Sequence, residues 1–124
     1  MRLLKPTLVI ISCVLLLGIC AGAGQNSMGI SDTYRVTFAE NVRVADTVLP
    51  AGDYKIQHVM QGPDHIMVFR QVGVKNPIEV RAKCTLVALS EPADQTQKLF
   101  ELNAANERVL KGLTFRGDRA KHVF

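Results

Sequence analysis

Two short runs carry the same residues in the same order, His58-Val59-Met60 and His65-Ile66-Met67. Imidazole and thioether are soft neutral donors, the kind that copper(I) prefers. The segment between the runs, Gln61-Gly62-Pro63-Asp64, has the composition of a turn. A four-residue loop there sets Met60 opposite His65 and His58 opposite Met67 in an antiparallel pair, and opposite residues point to one face. A six-residue loop over 72–77 then sets Cys84 opposite His65 and adds a thiol. The expected metal ligands are therefore His58, Met60, His65, Met67 and Cys84, with copper as the ion. The same pattern also has a plainer use. Tyr54 and Ile56 share that face, so the row points to a core in which Met60, Met67 and Cys84 are fillers and the histidines sit at the rim. The cluster depends on loop length, because a loop one residue longer or shorter turns the row over.

Other chemistry finds less support. There is no Gly-x-Ser-x-Gly elbow, and Ser27, Ser31 and Ser90 fall in expected loops. No His-Glu-x-x-His, Cys-x-x-Cys or glycine-rich phosphate loop occurs. A small hydrolase is the third reading, behind a binding module and a metal protein. The chain has 15 Lys+Arg against 11 Asp+Glu, no Trp and 6% aromatics. That is neither the dense basic face nor the stacking platform of a nucleic-acid binder. Lys111, Arg116, Arg119 and Lys121, with His122, form a basic tail that Asp118 interrupts, and a solvated surface is its simplest reading.

The N-terminus reads as a secretory signal. Arg2 and Lys5 precede an uncharged apolar stretch from Thr7 to Cys20, and Ala21-Gly22-Ala23 offers the small residues that a signal peptidase reads. Cleavage is expected after Ala23, with an uncleaved anchor over 7–23 as the alternative and lipidation at Cys13 or Cys20 as a third. Cleavage leaves Cys84 alone, without an internal disulfide. The expected location is secreted or periplasmic.

Beyond a flexible lead-in over 24–33, the chain must position these side chains with strands. Tyr34 to Phe38, Val42 to Val44 and Tyr54 to Met60 alternate apolar and polar residues. The clearest alternation runs from Ile78 to Ala88, with Val80, Ala82, Cys84 and Leu86 on one side and Glu79, Arg81, Lys83 and Thr85 on the other. Residues 98–115 fit two strands joined by 103–106, and also a helix with Leu99, Leu102, Val109 and Leu113 on one stripe. The β context and the alternation of Val109, Leu113 and Phe115 favour strands. The expected fold is all-β: a small antiparallel sandwich or barrel of seven to eight short strands, one domain over 34–124.

Val36, Phe38, Val42, Val44, Leu49, Pro50, Ala51, Gly52 and Tyr54 make a Val-x-Phe strand, a Val-x-Val pair and a Leu-Pro-Ala-Gly-x-Tyr turn. Residues 36–54 thus resemble a hairpin of small secreted bacterial β-proteins of unassigned function. The resemblance implies an exported β-domain and no activity. The sequence as a whole predicts an exported, non-catalytic binding or structural module, partnered by a protein or a cell-envelope ligand. A copper-binding protein is the alternative.

Overall fold

The computed structural model describes residues 30–124; the expected leader and residues 24–29 of the lead-in lie outside the described residues. The described residues are all β, with no helix. The nine strands are β1 (Thr33–Phe38), β2 (Val42–Val44), β3 (Thr47–Leu49), β4 (Gly52–Gln61), β5 (Asp64–Gln71), β6 (Glu79–Ala88), β7 (Gln97–Leu102), β8 (Arg108–Thr114) and β9 (Ala120–Val123). Residues 98–115 form strands because Asn103 turns the chain back. Its side-chain carbonyl accepts from the backbone amides of Ala105 and Glu107, and Asn106 takes a positive φ of 65°.

The strands form one open sheet in the order β1-β4-β5-β6-β9-β8-β2-β3, with β7 on the other side of β8. Pairing is antiparallel except where Arg43 of β2 meets Val109 of β8. β6 changes partner midway: Glu79 to Cys84 pair with β5, and Thr85 to Ala88 pair with β9. The sheet curls so that β1, at one end of the order, reaches the far half. Tyr34 stacks on Phe115 at 3.8 Å between centroids, and Phe38 meets Phe100 at 6.3 Å. The Lys98 ammonium donates to the Thr37 carbonyl at 2.7 Å. The inner faces of both halves thereby enclose one core, with Tyr54, Phe38, Phe69, Ile56 and Leu113 nearly sealed from solvent.

Alternation decides which side chains enter that core. β1 and β6 bury every second residue, Tyr34, Val36 and Phe38 in one and Val80, Ala82 and Cys84 in the other. The outward charges of β6 pair across the sheet, Glu79 with Arg70 and Lys83 with Asp64. The turn before β4 is held from both sides. Tyr54 donates its hydroxyl to the Pro50 carbonyl at 2.7 Å, and Gly52 takes φ 142°, which an L side chain rarely adopts.

One buried polar pair closes the end of the core near β1. The Tyr34 hydroxyl donates to the Asp118 carboxylate at 2.5 Å and accepts from the Ser31 amide at 3.0 Å. Burial, then the Asp118 carboxylate, pushes the phenol well above its usual range, so it stays a donor. Ile30 is fully buried beside this end, so the described end of the lead-in is anchored. Tyr34→Phe keeps the ring but withdraws a donor from a buried carboxylate. Urea unfolding is expected to show a loss of about 2 kcal/mol; a loss below about 0.5 kcal/mol would mean that other partners carry Asp118.

Candidate metal centre

The β4–β5 hairpin sets the first donors. Gln61 pairs with Asp64 around Gly62-Pro63. Gly62 takes φ 62°, the positive value that opens a tight hairpin turn, and Pro63 follows with φ fixed by its ring. The resulting register puts Met60 opposite His65 and His58 opposite Met67. On the next strand Cys84 lies opposite His65. This is the expected register, reached through a two-residue turn rather than the expected four-residue loop, because adding one pair at the turn leaves the rest of the pairing unchanged.

The five side chains share a face but not a depth. His58, Met67 and Cys84 are buried, His65 is half-buried, and Met60 is 52% exposed. Met60 stands two residues beyond His58, at the exposed end of β4 beside the turn at Gly62-Pro63. Parity gives a side chain its direction; the covering layer gives it its depth.

The residue that sequence reading missed is His122. Its neighbours in sequence are the basic tail, whose Arg116, Arg119 and Lys121 are exposed. His122 instead points inward from β9 and is 0% exposed. It arrives beside Cys84 because β9 pairs with the second half of β6, through Leu86 opposite His122. The available signal was Ala120 and His122 alternating with Arg119, Lys121 and Val123, over a segment too short to stand out.

The three histidines of the chain and Cys84 form one cluster. His58, Cys84 and His122 each offer a donor atom, and these atoms all lie within 4.8 Å of one another. Cys84 Sγ is 3.9 Å from His122 Nδ1. His65 Nδ1 and His58 Nε2 share a hydrogen bond of 3.1 Å, with the rings stacked at 5.1 Å. The Tyr34 and Phe115 rings meet the His122 ring in T-shaped contacts at 5.6 and 5.8 Å. His122 Nε2 is the one buried side-chain nitrogen or oxygen among the described residues with no hydrogen-bond partner. Its Nδ1 has only the weak sulfur contact. An unsatisfied buried imidazole costs about 1–3 kcal/mol, so its retention calls for a partner.

The electrostatics leave the imidazoles ready to ligate. Burial, reinforced by His58 and His65, pushes the His122 pKa down to about 4. Burial and then His65 lower that of His58, with Asp32 pulling weakly the other way. His122 is therefore neutral at pH 7, with a free lone pair. Burial pushes the Cys84 thiol up to about 11, so it is protonated at neutral pH, and a metal ion would have to displace that proton. Metal–ligand bonds of about 2.0–2.3 Å set donors roughly 3.5 Å apart. Small rotations of these side chains would close the set around an ion.

Among the described residues, no second group of three such donors lies together. A cleft of about 440 Å³ is lined by Glu40, Arg43, Glu107 and Arg108. Its charges are already paired, Arg43 with Glu107 and Arg108 with Glu40. The Arg43 guanidinium, helped by Asn103, holds the Glu107 carboxyl below its usual range, the opposite of what a general acid needs. Comparison with known proteins finds no matching family model, no similar curated protein and no similar solved structure.

Proposed function

We propose that this protein is an exported, non-catalytic binding domain whose ligand is copper(I), held by His58, Cys84 and His122. The observation that carries the reading is the convergence of two imidazoles and a thiol, with donor atoms all within 4.8 Å of one another, around a fully buried His122. The leader, with Arg2 and Lys5 ahead of an apolar stretch, supports export.

Charge favours a monovalent ion. Once its proton has left, Cys84 gives the donor set one negative charge, and copper(I) makes the centre neutral. Zinc(II) would leave a net positive charge among Tyr34, Phe115 and Met67, where uncompensated charge is costly. Zinc also asks for a fourth ligand.

Anaerobic titration of the purified protein with copper(I) tests the reading. One ion per chain is expected, with one proton released from Cys84 and measured by calorimetry in buffers of different ionisation enthalpy. Cys84→Ser and His122→Phe are each expected to lose tight retention while keeping the far-ultraviolet spectrum of a β-protein. No retention by the wild type, or undiminished retention by Cys84→Ser, would overturn the assignment.

A further inference from the structure

The copper reading leaves Met60 and His65 without a role, yet both are soft donors placed in line with the buried set. Met60 Sδ belongs to a half-exposed side chain at the open end of β4. Its cross-strand neighbour is His65, and such neighbours stand about 5 Å apart at Cβ. His65 Nδ1 is 3.1 Å from His58 Nε2, and His65 lies opposite Cys84. Exposure falls step by step along this line, from Met60 at 52% through half-buried His65 to His58 at 6% and His122 at 0%. On the other side, the rings of Tyr34 and Phe115 flank His122.

We propose that Met60 and His65 form a port through which copper(I) passes between solvent-side carriers and the buried centre. The proposal rests on the copper reading above. It assigns the transfer partner by chemistry: a carrier that presents copper(I) on weak soft donors and surrenders it by ligand exchange. Thioether and imidazole suit the first contact because both bind copper(I) as neutral ligands, without losing a proton to make the bond. His65 then offers Nδ1, and its hydrogen bond to His58 is exchanged for a bond to the ion. His58, which keeps its ring proton on the nitrogen that does not bind, and Cys84 take the ion next. The only proton lost is that of the Cys84 thiol, which leaves to solvent as the copper–sulfur bond forms. Copper stays copper(I) throughout, so no oxidant or reductant takes part.

The test uses the full mature chain and a coloured copper(I)–bicinchoninate chelate, with transfer followed by stopped-flow loss of the chelate colour. Met60→Leu keeps the size of an exposed side chain and removes its sulfur. Transfer is expected to slow by about tenfold, with the number of ions bound and the final chelator competition unchanged. Met60→His, which restores a soft neutral donor, is expected to recover most of the rate. His65→Gln is expected to slow transfer more than Met60→Leu does. Wild-type rates in both Met60→Leu and His65→Gln would overturn the port and leave the buried centre standing. Failure of the wild type to take copper from the chelate would overturn the centre and the port together.

Discussion

Metal-free protein is expected to lose about 3 kcal/mol of stability as the pH falls from 6.5 to 4, and His122→Phe is expected to remove most of that loss. His122 is fully buried, and its pKa is about 4 against 6.5 for an exposed histidine. Between those values the unfolded chain takes up a proton that the native state refuses. Stability therefore rises with pH across this window, is fully present above 6.5, and is lost as pH falls toward 4. The groups facing His122 are Tyr34 from β1, His58 from β4, His65 from β5 and Cys84 from β6. His58 is also shifted down, so it adds to the loss with the same sign. Tyr34 and Cys84 stay protonated throughout and add no slope there. Phenylalanine fills a similar volume among the Tyr34 and Phe115 rings and has no proton to gain. Urea unfolding at half-unit pH steps gives the comparison. A variant that keeps the whole slope would place the acid-sensitive group elsewhere.

Copper(I) at roughly a thousand times its dissociation constant is expected to stabilise the fold by about 4 kcal/mol, since the native state alone gathers the three donors. For a domain of this size that is a rise in Tm of roughly 15–30 °C. Thermal unfolding followed by circular dichroism under reducing, anaerobic conditions measures it. Cys84→Ser should show almost none of the rise. Zinc(II) at the same concentration should give a much smaller one, because it leaves the buried centre charged. An equal rise with zinc would argue for a fourth ligand and against the choice of copper(I). Acid should erode the copper effect as well, since protons compete with the ion for both histidines and for the thiolate.

The hairpin was legible in the sequence because its determinants are local. Gly62-Pro63 fixes the turn, the turn fixes the register, and the register aligns His58, Met67, His65 and Cys84. The alternation of β6 was equally plain, since Glu79, Arg81 and Lys83 have no place in a core. Two features were not legible. The depth of Met60 depends on how far the other half of the sheet extends, and nothing near Met60 records that. The arrival of His122 depends on β6 exchanging β5 for β9, a pairing between segments more than thirty residues apart. His122 also stands among basic residues, so composition points it outward while the pleat turns it in. The parallel contact of Arg43 with Val109 is similarly non-local.

The change of partner within β6 also bears on how the molecule opens. Cys84 is the last β6 residue paired to β5, and Thr85 is the first paired to β9. His58 belongs to the first half of the sheet and His122 to the second. The three donors thus straddle the seam where the halves share a single strand. An ion there would act as a rivet, since the halves could not part without breaking a coordinate bond. Backbone amides on both sides of the seam, at Ile66 in β5 and at Leu113 in β8, should then exchange with deuterium at one common, slow rate when loaded. Without the ion, the two sets of amides are expected to exchange at different rates.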